Sequence, residues 1–426
     1  MKDFNKDSED EIMSFIQTHY GSEVFTPGLE RTEILYQPYK ILIKEYGVKV
    51  TIIAGTNGKG QTAHTLTHLL ASSGLKVAMW TSPHILSLRE RFWIIDKNVS
   101  YEKLLAEIVK THIELRHEHT ELKVSFYEFL FLVFLKLSVN GIYGKIDHLV
   151  LEVGLGGKLD AVNHFDADCA CITSISRDHQ SILGARYDLI LMEKIAVARK
   201  NKPFFSFFHL NYLNELTKEY CEKNHVIWRN LSKSYKENNY FLQNQMLAQA
   251  IYQELEPLKS LDFETAIPIF KGRREEMTFR GNTLIFIGAH NIDGVRKMIE
   301  FFSSESHCFI PDQVLVSFSK RPIIEIEVML KSLSNYFEFH SNLLLADFDH
   351  PKAIDRNSLY EAGNKINESK KHNAVTNVKT NKINKGMLDF VTSWKSKLEE
   401  FENQRILVCG SYYFIGEVQR FILNSR

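Results

Sequence analysis

The sequence has no Cys-x-x-Cys pair, and its five cysteines are scattered along the chain at Cys169, Cys171, Cys221, Cys308 and Cys409. This spacing matches no common zinc site and gives no disulfide framework. An odd number of scattered cysteines is typical of a protein kept in a reducing compartment. We therefore predict a cytoplasmic location.

An excess of charge of one sign is also missing. Lys plus Arg and Asp plus Glu are both 52 among 426 residues, so the formal net charge is zero. A protein that binds nucleic acid through bulk electrostatics carries a positive excess, so we predict no nucleic-acid partner. The longest strongly apolar run, residues 129–135, is far below the roughly 20 residues of a membrane-spanning helix. We therefore predict no membrane partner either.

Short apolar runs alternate with helical patterns along the chain. Strands are predicted at residues 48–54, 75–80, 148–153 and 170–175, and helices at 62–73 and 126–138. The pattern restarts after about residue 265, with strands at 283–287, 314–318, 342–346 and 405–409 and a helix at 293–302. This alternation predicts an α/β fold in which a parallel sheet carries helices on both faces. The polar residues 368–385 are interpreted as a surface loop around a strand.

The length of the chain favours two domains, because 426 residues exceed one ordinary core. We place the boundary between residues 266 and 267, where the strand and helix pattern restarts. No Gly/Ser-rich linker marks this position. The sequence therefore predicts domains of residues 1–266 and 267–426.

The run Gly55-Thr56-Asn57-Gly58-Lys59-Gly60-Gln61-Thr62 connects a predicted strand to a predicted helix. Glycines let backbone N–H groups turn inward, and a helix N-terminus attracts phosphate through its partial positive charge. Lys59 would then lie against the outer phosphates of a nucleotide. The strict Walker A pattern fails, because Ile53 and Gly60 stand where it requires Gly and Ser or Thr. The loop is thus a variant phosphate loop, and a purely structural turn is the alternative.

Further motifs follow in a fixed order along nearly the whole chain. They are Gly28 to Arg31, the loop above, Thr81-Ser82-Pro83-His84, Arg89-Glu90-Arg91, Ser125-Phe126-Tyr127-Glu128, Glu152-Val153-Gly154-Leu155-Gly156-Gly157-Lys158-Leu159-Asp160-Ala161-Val162-Asn163, Ile172-Thr173-Ser174-Ile175-Ser176-Arg177-Asp178-His179, Glu193-Lys194, Gly272-Arg273, Gly288-Ala289-His290-Asn291 and residues 410–418. On these residues the sequence resembles the dihydrofolate synthase/folylpolyglutamate synthase family, a branch of the Mur ligase superfamily.

The resemblance implies a function for the protein and a fold for each of its two domains. Residues 1–266 would form a P-loop-type parallel-sheet ATPase domain that also binds the pterin substrate, and residues 267–426 a Rossmann-like α/β domain. The implied reaction is ATP-dependent ligation of L-glutamate to dihydropteroate, to reduced folates or to both. It passes through an acyl phosphate and releases ADP and phosphate. The implied cofactors are ATP and Mg²⁺, the implied partners are small molecules, and the implied oligomeric state is a monomer.

The resemblance also implies nucleotide contacts. In the loop these are Thr56, Asn57, Gly58, Lys59, Gly60, Gln61 and Thr62, and further along the chain they are Asn244, Arg273 and His290. Asn244 matches a helix that touches adenine in the family. Arg273 lies at the predicted domain join, from which an arginine reaches phosphates only when the domains close. An interdomain salt bridge is the alternative role for Arg273.

Metal and catalytic residues are implied as well. Ser82, Glu152 and His179 would hold the magnesium ion, while Lys59, Lys194 and His179 would be catalytic. Ser82 and Glu152 fall at strand ends, and the carboxyl ends of parallel strands line the ligand crevice of open sheets. Lys194 matches a lysine that is carbamylated in the family, which requires a neutral amine and a lowered pKa. Each residue also has an alternative, purely structural interpretation. Ser82 would be a turn residue, and Glu152 would be a surface charge at a strand end. His179 would be a loop histidine, and Lys194 would pair with a nearby Glu.

Contacts to the pterin acid are implied for three segments. Their residues are Leu29, Glu30, Arg31, Ser125, Phe126, Tyr127, Glu128, Leu159, Asp160 and Ala161. Phe126 and Tyr127 have rings suited to stacking on a flat heterocycle. They are equally interpreted as core aromatics, since the helix that follows is buried.

Four positions depart from the family pattern. They are Gln61 for Ser, Ile287 for an Asp associated with the ribose, Ile292 for Pro and Leu242 for His. Most of these losses fall on the ATP side. One interpretation is an active ligase with weaker ATP binding, and another is a weakly active or non-catalytic paralogue that binds nucleotide or folate. A ligase for another acid is the third.

Overall fold

The computed structural model describes residues 4–22, 28–178, 180–184, 186–233, 239–258, 272–304, 310–375 and 387–425, with only the backbone for 181, 273, 304 and 372–375. The chain divides into two compact units, Met1–Pro268 and Ile269–Arg426. Both units combine a mainly parallel sheet with helices, so the predicted α/β class is confirmed. Within the described ranges, no helix is both long and apolar enough to cross a bilayer.

The first unit is built on one large sheet. Its helices are α1 (Lys6–Tyr20), α2 (Glu33–Tyr46), α3 (Lys59–Ser72), α4 (Tyr101–Glu118), α5 (Phe126–Val139), α6 (Gln180–Leu183), α7 (Tyr187–Ile195), α8 (Asn211–Lys223) and α9 (Tyr240–Leu255). Its strands are β1 (Lys49–Ala54), β2 (Val77–Trp80), β3 (Trp93–Ile94), β4 (Lys97–Asn98), β5 (His148–Glu152), β6 (Cys169–Ile172), β7 (Pro203–Ser206) and β8 (Ile227–Asn230). The strand order is β4-β3-β2-β5-β1-β6-β7-β8. All neighbours pair in parallel except β3 and β4, which form an antiparallel edge.

Side chains from alternate positions of the central strands enter two separate cores. On β1, Ile52 and Ala54 pack with α2 and α5, whereas Ile53 packs with α3 and α9 on the other face. A strand buried on both faces reads as a continuous apolar run, which is why β1 was predictable. Helix α5 is apolar on all sides because it lies between the sheet and helices α1, α2 and α4.

The second unit has a smaller sheet. Its strands are β9 (Arg273–Phe279), β10 (Asn282–Ile287), β11 (Gln313–Ser317), β12 (Asn342–Leu345), β13 (Leu388–Phe390) and β14 (Arg405–Gly410). Its helices are α10 (Ile292–Ser304), α11 (Ile323–Tyr336), α12 (Arg356–Val375), α13 (Trp394–Glu400) and α14 (Tyr412–Asn424). The order β13-β12-β11-β14-β10-β9 is parallel except for β9, which pairs antiparallel with β10.

The predicted strands and helices are confirmed, with two shifts at the candidate site. Helix α3 begins at Lys59 rather than at residue 62, so the loop's lysine belongs to the first helical turn. Strand β6 ends at Ile172, because residues 173–176 turn away from the sheet and bond to the loop after β1. Both shifts bring polar groups to the carboxyl edge of the sheet.

One secondary-structure prediction is wrong. Residues 368–375 are not loop but the end of α12, which runs to Val375. Glu and Lys are good helix formers even where no apolar pattern is present. Lys370 anchors this part of the helix, since its Nζ donates to the Ser334 carbonyl of α11 at 2.9 Å and lies 3.4 Å from Glu338. Residues 376–386 lie outside the described residues.

Candidate active site

The loop between β1 and α3 has two positions that only glycine can fill. Gly55 has φ +149°, and a Cβ there would lie 1.9 Å from Thr173 Oγ1. Gly58 has φ +89°, and a Cβ there would lie 2.4 Å from Asn244 Oδ1. L-residues rarely adopt such backbone angles, and neither position has room for a side chain. The loop is therefore shaped as a narrow backbone cradle at the N-terminus of α3.

Residues after the neighbouring strand β6 hold this loop in place. The Thr56 N–H donates to the Ser174 carbonyl and the Asn57 N–H to Ser174 Oγ, both at 2.9 Å. Thr173 Oγ1 donates in turn to the Asn57 carbonyl at 2.6 Å, and the Ser176 N–H donates to Thr56 Oγ1 at 3.1 Å. The predicted motif around residue 173 thus acts on the loop itself.

Two side chains in the first turn of α3 are candidates for binding phosphate. Lys59 Nζ donates to the carbonyls of Gly55 at 3.1 Å and Thr56 at 3.2 Å, so its ammonium arches back over the loop. Thr62 is fully buried, and its Oγ1 has no hydrogen-bond partner among the described residues. A buried hydroxyl without a partner is costly unless a ligand or water completes it.

The side-chain amides of Gln61 and Asn244 form hydrogen bonds within the protein. Asn244 is buried, and its Nδ2 donates to Gln61 Oε1 at 2.8 Å. Gln61 Nε2 donates to the Phe241 carbonyl at 3.0 Å. Both amides therefore connect α3 to α9 inside the unit.

The predicted metal ligands Ser82 and Glu152 lie side by side. Glu152 ends β5 and Ser82 follows β2, and these strands are neighbours in the sheet. The Ser82 N–H donates to Glu152 Oε2 at 3.1 Å, and Thr81 Oγ1 donates to the same oxygen. The third predicted ligand, His179, lies outside the described residues. Over the described ranges, no group of three or more His, Cys, Asp or Glu residues is placed to hold a metal ion.

Thr81 was missed as a site residue. Its hydroxyl bonds Glu152 directly, and it stands beside Ser82 in a motif that the sequence had already singled out. Its position immediately after β2 is the signal that would have found it, since polar residues at strand carboxyl ends line ligand crevices.

Lys194 is a buried lysine near the carboxyl end of α7. Burial first, and then the positive charge of Lys59, lower the pKa of Lys194 to about 7, against the opposing pull of Asp178, Asp160 and Glu193. A large part of this amine is therefore neutral near neutral pH. The predicted requirement for a lowered pKa is met.

The glycine-rich segment after β5 packs onto the end of α7 that carries Lys194. A Cβ on Gly157 would lie 2.9 Å from the Glu193 carbonyl, and the Lys158 N–H donates to that carbonyl at 2.8 Å. The close approach explains the glycine and fixes this segment beside Lys194.

Asp160 organises the same segment from within. Its carboxylate accepts the N–H groups of Gly154 at 2.9 Å, Leu155 at 3.1 Å and Val162 at 3.1 Å, and the Tyr127 hydroxyl at 3.3 Å. Burial raises the pKa of Asp160 to about 6 although these hydrogen bonds favour the charged form. Both oxygens of Asp160 are thus engaged by the protein.

Three of the remaining predicted substrate residues bond to one another, and the others differ in how far they are buried. Arg31 forms an ion pair with Glu128, whose Oε2 also accepts the Ser125 N–H at 2.9 Å and the Ser125 hydroxyl at 2.6 Å in a capping box at the start of α5. Phe126 and Ala161 are buried, Leu29 and Tyr127 are half-buried, and Glu30 and Leu159 are exposed. Phe126 is therefore a core residue, whereas Arg31 keeps part of its surface open.

The predicted residues of the second unit lie near the carboxyl end of β10. Asn291 is buried and caps α10, its Oδ1 accepting the Gly294 N–H at 2.7 Å. The His290 ring lies 5.2 Å from the Tyr412 ring. Ile287 is buried in the core of this unit. Arg273 begins β9, and its side chain is outside the description.

Comparisons with known proteins agree with this architecture. No family model matches the chain. A dihydrofolate synthase/folylpolyglutamate synthase of Buchnera aphidicola is 36% identical over 184 residues, which are 43% of this chain and 41% of that relative. The same-named protein of Bacillus subtilis is 24% identical over 92% of this chain and 94% of its own length. The higher-identity alignment thus spans only about two fifths of the relative's length.

Solved structures share the fold over nearly the whole chain. Escherichia coli FolC in complex with DHPP and ADP has a TM-score of 0.76 at 20% identity, covering 97% of both chains. The bifunctional synthase of Yersinia pestis complexed with AMPPNP and Mn ion has a TM-score of 0.72 at 23% identity, covering 96% of both. Such similarity at low identity establishes a common fold.

The fold defines the chain as a two-unit α/β protein with a glycine cradle between β1 and α3. Its curated relatives are more specific. The chain is similar in sequence to curated proteins named dihydrofolate synthase/folylpolyglutamate synthase.

Proposed function

We propose that this protein is an ATP-dependent ligase that joins L-glutamate to the carboxylate of a folate-type acid, dihydropteroate, a reduced folate or both. One observation carries the proposal: a glycine cradle with Lys59, a buried carboxylate at Glu152 and a near-neutral amine at Lys194 occur in one unit with the motifs of these ligases. The names of the curated relatives support the same reaction.

The chemistry explains why such a site is needed. A carboxylate is a poor acyl donor, because its oxygen leaves poorly. Its oxygen attacks the γ-phosphorus of ATP, the bond to the β-phosphate oxygen breaks, and ADP leaves. The amine of glutamate then attacks the acyl carbon, phosphate leaves with the bonding electrons, and the nitrogen loses a proton. Positioning and charge neutralisation are the main tasks of the protein in both steps.

The residues present fit the phosphates of ATP. The cradle at Gly55 and Gly58 admits only backbone, so N–H groups can approach an anion closely at the N-terminus of α3. Lys59 would turn its ammonium from the loop carbonyls to the phosphates. The unpartnered hydroxyl of Thr62 supplies one more polar group in the same helical turn.

The residues also fit a magnesium ion, which prefers hard oxygen ligands. Glu152 and Ser82 provide a carboxylate and a hydroxyl on adjacent strand ends, and the resemblance adds His179. When bound, the ion would neutralise phosphate charge during transfer. Thr81 orients the Glu152 carboxylate through its hydrogen bond.

Lys194 is proposed to be carbamylated. Its neutral amine would attack the carbon of CO₂, forming an N–C bond and releasing one proton, which converts a potential cation into an anion. Support comes from the pKa of about 7, which leaves the amine neutral for much of the time at neutral pH. An anion at this position would help to hold the metal ion.

The acid substrate is proposed to bind along Leu29, Glu30, Arg31 and the residues 125–128 and 159–161, with the Arg31 guanidinium facing a carboxylate. Asn244, Arg273 and His290 are proposed to support the nucleotide. The solved relatives support these ligand classes, since one is named in complex with DHPP and ADP and another with AMPPNP and Mn ion. We place the protein in the cytoplasm, a proposal supported by the unpaired thiols of Cys169, Cys171, Cys221 and Cys409. The resemblance to the family is the basis for proposing a monomer.

The test is product formation by the purified protein. With ATP, magnesium, glutamate and either dihydropteroate or a reduced folate, we expect the amide product and one ADP per bond. Lys59→Met should reduce turnover at least about a hundredfold, as loss of a group that stabilises developing charge does. Lys110→Met, on the exposed side of α4, is the matched control. A folded wild-type protein that binds Mg-ATP but forms no product with either acid would support the non-catalytic paralogue instead.

A further inference from the structure

Gln61 is a buried amide in the first turn of α3, where the related enzymes are expected to have serine. Both ends of the amide are used. Nε2 donates to the Phe241 carbonyl at 3.0 Å, and Oε1 accepts from Asn244 Nδ2 at 2.8 Å. A serine side chain is too short to make this bridge from α3 to the first turns of α9. The substitution thus adds a connection rather than only removing a hydroxyl.

Asn244 carries this connection to the phosphate loop. It is buried, with 2% of its surface exposed. Its amide lies against Gly58, because a Cβ on that glycine would be 2.4 Å from Oδ1 and 2.8 Å from Nδ2. The hydrogen bond from Nδ2 to Gln61 selects one orientation of the amide. Gln61 therefore fixes the group on which the loop glycine rests.

We propose that Gln61 is a positioning residue that holds the phosphate loop in its nucleotide-binding conformation by orienting Asn244 against Gly58. This inference rests on the proposed nucleotide-binding function. It gives Asn244 a role toward the loop, because one N–H of its amide donates to Gln61. The amides of Gln61 and Asn244 act as one hydrogen-bonded pair. The pair should therefore increase the affinity of any ligand whose phosphates bind to the loop.

The test uses near-isosteric variants of the whole protein. Gln61→Met keeps the length of the side chain and removes both hydrogen bonds, and Asn244→Leu removes the partner. We expect each to weaken binding of Mg-ATP about tenfold in titration calorimetry, the effect of losing one to two buried hydrogen bonds. The double variant should bind no more weakly than the weaker single variant, because residues of one network are not additive.

A second ligand separates the loop from the base. Inorganic tripolyphosphate with magnesium has no adenine, so its affinity should fall by the same factor as that of ATP. Thr65→Val, which alters another buried hydroxyl of α3, is the matched control and should bind both ligands as wild type does. A direct adenine contact by Asn244 would instead weaken ATP alone, and this result would overturn the proposal.

Folding is checked by the thermal unfolding of the ligand-free variants. If Gln61→Met does not fold, Gln61→Asn keeps a polar amide that is one methylene too short to bridge the helices and provides the same test. The proposal is contradicted if the single variants bind Mg-ATP as tightly as wild type does. It is also contradicted if the double variant loses affinity by the product of the two single factors. Neither result affects the proposed function. A folded wild-type protein that does not bind Mg-ATP removes both.

Discussion

Lys59 lowers the pKa of Lys194. After burial, the positive charge of Lys59 in the first turn of α3 is the largest influence that brings the pKa of Lys194 down to about 7. The two amines belong to α3 and α7, which follow different strands of the sheet. A lysine held near neutrality beside a second cation is a chemical arrangement typical of functional sites rather than of helix surfaces.

Lys194 should make stability depend on pH in a defined window. Because its pKa falls from 10.5 to about 7 on folding, the native state binds fewer protons than the unfolded state between these values. Stability relative to Lys194→Met should therefore rise as pH increases from about 7 towards 10.5 and be lowest, by on the order of 5 kcal/mol, below this window. Urea unfolding in bicarbonate-free buffer measures the free energy of unfolding of both proteins across this pH range. If that free energy changes equally with pH in wild type and in Lys194→Met, the result contradicts the lowered pKa.

Glu152→Gln should impair metal use more than folding. Glutamine keeps an oxygen that accepts the hydrogen bonds of Thr81 and Ser82, so we expect the melting temperature to change little. Loss of the carboxylate should weaken binding of the divalent ion by about ten- to a hundredfold and lower kcat accordingly. Glu107→Gln, a buried glutamate of α4, is the control. Unchanged dependence of turnover on magnesium would argue against Glu152 as a ligand.

Thr62→Val should separate folding from ligand binding. Its hydroxyl is buried without a partner among the described residues, so its removal should leave the ligand-free protein as stable as wild type or more so. If the hydroxyl serves the bound nucleotide or its metal, the Kd for Mg-ATP should increase by about tenfold. Titration calorimetry measures the Kd for Mg-ATP, and thermal unfolding measures the stability of the ligand-free protein. A variant that loses stability but keeps its ATP affinity would assign the hydroxyl to the fold.

Arg31→Met should affect the acid substrate and not ATP. The variant leaves the buried Glu128 carboxylate without its ion-pair partner, although Ser125 still donates to it, so we expect a loss of about 1–3 kcal/mol in stability. The KM for the acid should increase about tenfold if the guanidinium also faces a substrate carboxylate. Lys40→Met, which breaks the more exposed pair with Glu33, is the control. An unchanged KM for the acid would restrict Arg31 to its structural role.

Local features of the sequence were enough for the α/β class and for the central strands of both sheets. Strands such as β1 are buried on both faces and therefore read as continuous apolar runs, and α5 is apolar on all sides because it is enclosed. The loop glycines were recognisable because their conformation is a local demand. The end of α12 was not predicted, because its polar residues gain stability from packing against α11, which lies outside any local pattern.

The sequence by itself determined the order of the central strands, the glycine-rich loop and the strand-end position of Glu152, since each follows from the conformational preferences and apolar pattern of neighbouring residues. Only the tertiary structure decided that Gln61 meets Asn244, 183 positions away, that Arg31 meets Glu128, and that Lys194 is buried where the charge of Lys59 acts on it. Hydrogen bonds and charges depend on distance and burial, and neither is encoded in the spacing of residues along the chain.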